Sequence, residues 1–204
     1  MFITRNGQAP TVHPSAVVAS SAQIIGNVSI GESCYIDYNV VIESSGPPIE
    51  IADHVIVLAN SVIRSVGGVH RPAFSVHIED HTLISPSCSL VGCQIGRNCY
   101  LATGVMIFQG AVIGHDSRIS AGAIVHLKTT LPPQTRVGLR HIAAPSVTGG
   151  CLITADIEAV REQIAAADFF GTVFGEQEQE QAALQTKVME TLLQEVSDWH
   201  DEPS

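Results

Sequence analysis

From Ile95 to Leu131 the apolar positions fall at strict six-residue intervals: Ile95, Leu101, Ile107, Ile113, Ile119, Val125 and Leu131. Four residues after each position up to Val125 comes a small or compact side chain, namely Cys99, Val105, Ala111, Ser117, Ala123 and Thr129. A hexapeptide repeat with two inward positions predicts a mainly β fold, a left-handed parallel β-helix. Three hexapeptides make one triangular coil, and each coil must stack on another to bury its core.

The ladder also runs earlier, through Val12, Val18, Ile24, Ile30, Ile36 and Ile42, with Ala16, Ala22, Val28, Cys34 and Val40 as companions. It breaks at a turn-forming cluster over 43–50 that contains Ser44, Ser45, Gly46, Pro47 and Pro48, which predicts a small protruding loop. It resumes at Ile51, Val57 and Ile63, and the main insertion follows over 64–77 before Ile78, Ile84 and Leu90. One residue is missing from the period between Leu90 and Ile95, where Gly92 allows a tighter corner. Pro132 and Pro133 are expected to end the regular coils. The β-helix domain thus spans 1–150 and a helical extension spans 151–204. Thr154 is the expected cap of a first helix that carries Asp156 and Glu158 in its opening turn and fades near Asp168. A second helix begins amid Glu176, Glu178 and Glu180 and sets Leu184, Val188, Leu192, Val196 and Trp199 on one stripe.

Twenty acidic against ten basic residues give a formal charge of -10, which disfavours nucleic acid and anionic membranes as partners. No run is long and apolar enough for a membrane span, and the stretch from Met1 to Pro10 lacks the basic and apolar regions of a secretory signal, so a cytoplasmic location is expected. Of the five cysteines, Cys34, Cys88 and Cys99 hold companion positions and read as core fillers, while Cys93 and Cys151 are unassigned. The odd count argues against a disulfide framework, and no C-x-x-C pair is present for a structural zinc site.

Residues one coil apart in the same phase stack roughly 4.8 Å from each other, so outward columns can be read directly from the sequence. One column is Ile25, Glu43, Arg64, Val91, Phe108 and His126; a second, on the adjoining edge, is Pro86, Thr103 and Ala121. Opposite charges at neighbouring positions predict a Glu43–Arg64 salt bridge, kept for a subunit contact or for binding a carboxylate or phosphate.

The hexapeptides, the Gly92-Cys93 corner, the insertion after Ile63 and the C-terminal helix resemble the gamma-class carbonic anhydrase family, over most of the chain. The resemblance implies a homotrimer whose zinc sits between subunits, held by a histidine ahead of the insertion and two more in a Gly-His-x-x-x-x-His-Gly-Cys motif. That motif here reads Ser85-Pro86-Ser87-Cys88-Ser89-Leu90-Val91-Gly92-Cys93, so the three zinc positions carry Arg64, Pro86 and Val91. None can bind zinc. The family's Arg-Gly-Asp near the first loop matches Glu43-Ser44-Ser45, and its Gln-Asp pair matches Leu58-Ala59. Zinc catalysis needs three protein ligands and an open position, which implies loss of the usual reaction, with no metal and no cofactor. The stretch from Asp168 to Gly175 is similar to a tail in a divergent branch of this family.

What remains is a cleft of Glu43, Arg64, Pro86, Val91, Phe108 and Gln109 for a small molecule at the subunit interface. Three other readings stand beside it. His70, His77 and His81 cluster around the insertion and could form a displaced metal site. His126 or His70 could serve as the catalytic base of a hexapeptide acyltransferase that uses acyl-coenzyme A. A noncatalytic scaffold would engage a protein partner through the C-terminal stripe or the charged first loop.

Overall fold

A computed structural model of the chain describes residues 1–69, 71–176 and 181–200. Strands of two to four residues wind through three parallel faces in turn. Among the described residues, face 1 has nine strands, including Gln23–Ile25, Val41–Ser44, Val62–Ser65, Ser89–Val91, Met106–Ile107 and Ile124–Val125. Face 2 runs from Thr11–Val12 to Thr130–Leu131 and face 3 from Val17–Val18 to Arg136–Val137, with seven strands each. The hexapeptide period sets the register. Met106 aligns with Ile124, Val112 with Thr130 and Arg118 with Arg136, so corresponding positions of successive coils stack.

The ladder residues fill the interior: Ile24, Ile42, Ile63, Leu90 and Leu101 are wholly buried, and the companions Cys34, Val40, Val105 and Ala123 join the same cluster. Each aliphatic side chain so buried contributes roughly 1.5–3 kcal/mol. Cys34, Cys88 and Cys99 are core residues as their phase predicts, and burial pushes each thiol pKa up. Cys93 joins them, its pKa pushed up to about 12. Cys151 packs partly against the same core. Corners need left-handed backbone, and residues that tolerate it stand there, among them Asn39, Asn60, Asn98 and Asp116.

Both excursions are narrower than the sequence suggests, because strand pairing extends past the ladder residues. Face 1 continues through Ser44 and face 2 restarts at Ile49, which leaves a turn of residues 45–48; Ser44 Oγ donates to the Pro47 carbonyl at 2.9 Å. The larger insertion starts after Ser65 and ends before Val76, its two sides joined by a Val66–Phe74 bridge. The missing residue before Ile95 is absorbed as expected by Gly92, at φ 52°. Gly92 also lies under the insertion: a Cβ there would come within 2.4 Å of Phe74 Cβ.

Pro132 and Pro133 do not end the coils. The ladder continues through Val137 and Ala143, both wholly buried, because the prolines occupy a corner, where the missing N–H costs no ladder bond. The solenoid ends instead at Ile142–Pro145, where Cys151–Thr154 folds back antiparallel after Gly149 and Gly150, both at positive φ. Thr154 therefore belongs to a strand, and helix α1 (Ile157–Ala166) is capped by Asp156, whose carboxylate accepts from the Glu158 N–H at 3.0 Å. The tail forms α2 (Phe169–Phe174), and α3 (Gln181–His200) follows. On α3 Leu184 and Val188 are buried and Leu192 is half-buried; the side chains of Val196 and Trp199, like Glu178 and Glu180, lie outside the described residues.

These helices grip the insertion. Arg71 donates to both Glu195 carboxylate oxygens, at 2.7 and 3.0 Å, and its guanidinium lies 5.5 Å from the Phe174 ring centroid. Among the described residues no helix is long and apolar enough to cross a membrane.

Truncating Leu101 to Ala should lower unfolding free energy by about 2–5 kcal/mol in denaturant titration, as expected for a cavity in a packed core. Gly92→Ala should cost more than the roughly 1–2 kcal/mol of a left-handed Cβ alone, and part of the loss should return in the Gly92→Ala, Phe74→Ala double variant.

Candidate functional site

The predicted outward column is present on face 1. Ile25 aligns with Glu43, Glu43 with Arg64 and Arg64 with Val91; the Phe108 and His126 amides continue the ladder to Val125 and Ala143. Glu43 and Arg64 pair within one chain, with Arg64 Nε 2.9 Å from Glu43 Oε2. The contact is close but not aligned as a hydrogen bond, so the attraction is chiefly coulombic. The other Glu43 oxygen accepts from Arg5 Nη1, a partner that the six-residue ladder could not reveal because Arg5 lies ahead of Val12, where that ladder begins. Side-chain exposure falls from 40% at Arg64 to 20% at Arg5 and 15% at Glu43, so the carboxylate is the sheltered centre of the group.

Further along the column Phe108 stacks on His126, with ring centroids 5.6 Å apart and planes inclined by 28°. Burial lowers the His126 pKa from its ordinary value. Its Nδ1 is buried without a hydrogen-bond partner, and so is Oε1 of Gln109, a residue only 8% exposed. Buried polar atoms are rarely left unsatisfied, and two such groups one coil apart mark a place suited to a bound polar molecule. Three inter-strand steps separate Arg64 from His126, roughly 14 Å. The column is therefore a polar head at Glu43 and Arg64, an apolar middle at Val91 and Phe108, and a polar end at Gln109 and His126.

Pro86 is not part of that group within one chain. It stands at the corner between faces 3 and 1, across the width of face 1 from Val91. Of the histidines around the insertion, His70 lies outside the described residues. His77 Nδ1 meets Glu50 at 3.1 Å, and His81 stacks on His54 with centroids 4.8 Å apart. Among the described residues no three histidine, cysteine or acidic side chains gather as metal ligands. A zinc ion does not fit the family's position either, since a guanidinium, a pyrrolidine ring and an isopropyl group offer it no donor.

No protein-family model matches the chain. Among curated proteins it is similar to gamma carbonic anhydrase 1, mitochondrial, of Arabidopsis thaliana, 28% identical over 129 residues that cover 61% of this chain and 46% of that protein. It is also similar to carnitine operon protein CaiE of Escherichia coli strain K12, 31% identical over 129 residues that cover 58% of each chain. The chain spans about half the length of the curated relatives it matches. Among solved structures, a Bacillus cereus protein of provisional acetyltransferase assignment superposes with a TM-score of 0.61 at 21% identity, over 95% of this chain and 98% of that one, which speaks for the fold alone. Repeat, solenoid and relatives converge on a hexapeptide-repeat β-solenoid that is similar to the gamma carbonic anhydrases and to CaiE.

Proposed function

We propose that the chain works in the cytoplasm as a homotrimer that holds a small molecule in an inter-subunit cleft, without zinc and without hydrating CO2. The observation that carries this reading is the Arg5–Glu43–Arg64 ion group, which stands where the family resemblance places a zinc ligand and its support. Arg64 retains guanidinium donors with no partner among the described residues, a fork suited to a ligand carboxylate or phosphate. Val91 and Phe108 supply an apolar wall, while Gln109 and His126 supply the second polar contact.

Surface chemistry supports a threefold assembly. The outward positions of face 2 are mostly polar, Thr11, Ser29, Glu50, His77, Gln94 and Thr130, as expected of a solvent face. Faces 1 and 3 instead carry Val41, Val62, Met106, Val17, Ile56 and Leu83 outward. The apolar stretches of these two adjoining faces invite burial against neighbours, and a cyclic trimer covers both stretches at once while leaving the Arg118 and Arg136 end of face 3 open. In that arrangement Pro86 of one subunit comes to the Arg64 and Val91 edge of the next.

Acyl transfer from acyl-coenzyme A is the second reading. His126 favours it, because a depressed pKa keeps the imidazole neutral near pH 7, as a general base requires.

Arg64→Ala should leave the trimer mass unchanged by sedimentation while abolishing retention of the cleft ligand; monomerisation with retained ligand would overturn the cleft reading. Zinc-supplemented protein should show no CO2 hydration above background in stopped flow. Because the His126 pKa is lower folded than unfolded, the unfolded chain binds the extra proton first. Stability should therefore fall as pH drops below about 6.5, and His126→Phe should flatten that part of the denaturation profile.

A further inference from the structure

Face 3 changes character along its length. Its outward column reads Val17, Tyr35, Ile56, Leu83 and Tyr100, then Arg118 and Arg136. The two arginines are directly opposed on neighbouring strands, roughly 4.8 Å apart at the backbone. Like charges in that relation repel, and a sheet normally avoids them or sets a carboxylate between them. Here neither arginine makes an ion pair or hydrogen bond among the described residues, and both are exposed. A general surplus of cations cannot account for them, since only ten of the 204 residues are basic and the chain carries -10.

The carboxylate that lines the same groove is already engaged. Asp116 accepts from Asn98 Nδ2 at 2.6 Å and meets His115 Nδ1 at 2.7 Å. The arginines, with Tyr100, Asn98, Asp116 and Gln134, line a groove of about 660 Å³ at this edge of the solenoid. The Tyr100 ring, 42% exposed, lies one coil below Arg118 on the same column.

We propose that Arg118 and Arg136 form a two-point anion site for a ligand of the diphosphate class, one phosphoryl group on each guanidinium, with Tyr100 as an apolar platform for the rest of the ligand. A guanidinium fork pairs with phosphate through two parallel N–H donors, and an anion bridging both forks removes the repulsion between them. The site is separate from the Glu43–Arg64 column and does not depend on that cleft being occupied.

The test is isothermal titration calorimetry of the full chain with inorganic pyrophosphate at low ionic strength, with subunit mass followed by sedimentation. Wild-type protein should bind pyrophosphate more tightly than orthophosphate, and added salt should weaken the binding. Arg118→Ala and Arg136→Ala should each raise Kd about tenfold or more, with melting temperature and subunit mass unchanged. Arg118→Lys should lose less than Arg118→Ala, because it keeps the charge and loses only the fork. The proposal is overturned if wild-type protein gives no pyrophosphate binding, if both alanine variants bind like wild type, or if orthophosphate binds equally well. It is equally overturned if the alanine variants dissociate the oligomer, since the arginines would then be paired with a neighbouring subunit. A monomeric wild type that still binds pyrophosphate would remove the trimer reading and leave this site intact.

Discussion

Everything in this molecule hangs on one constraint: a two-residue strand can bury an isoleucine only if the coils above and below present their own at the same phase. Ile24, Ile42, Ile63, Leu90, Ile107 and Val125 form such a stack, each at most 1% exposed. Backbone hydrogen bonds between coils hold the register, as in the donation from the Phe108 N–H to the Val125 carbonyl at 2.9 Å. A slip of one residue would turn every inward side chain outward, so the register is strongly specified. Departures from the period are confined to corners, where the chain can bulge without breaking the stack.

The same register makes the outer surface a set of columns, and the chemistry follows from what each column carries. On face 1 the sheltered Glu43 is flanked by Arg5 and Arg64, and the resulting ion group occupies one end of the column. Removing charges from water is costly, and the group offsets this by setting two cations around one carboxylate while Arg64 keeps contact with solvent. Farther along, Phe108 and His126 stack, and burial holds the imidazole toward its neutral form. On face 3 the opposed Arg118 and Arg136 show the converse case, cations left without an ion-pair partner among the described residues.

The insertion and the C-terminal helices belong to the same account. Phe74 rests over the Gly92 and Gly110 corners, and Arg71 ties that loop to Glu195 and Phe174. With side chains only 8% and 12% exposed, the Arg71–Glu195 pair is sheltered and doubly bonded, so it fixes the geometry of the loop more firmly than an exposed pair could. Residues distant in the chain thereby border the coil that carries Val91 and Gln109.

Periodicity by itself determined the solenoid, its inward residues including three of the five cysteines, and the Ile25-to-His126 column with its Glu43–Arg64 pair. It could do so because a repeat converts sequence distance into spatial distance. Where the repeat stops, that conversion fails. Arg5 lies ahead of Val12, where the six-residue ladder begins, so its bond to Glu43 left no trace in the periodicity. Pro132 and Pro133 read as a stop, yet a corner needs no N–H there and the coils run on to Ile142–Pro145. Thr154 reads as a cap, yet the glycine turn ahead of it returns the chain as a strand and passes the capping role to Asp156. The unsatisfied Gln109 and His126 atoms and the grip of Arg71 on Glu195 depend on which surfaces cover one another. Such contacts between segments that share no period were decided only by the tertiary structure.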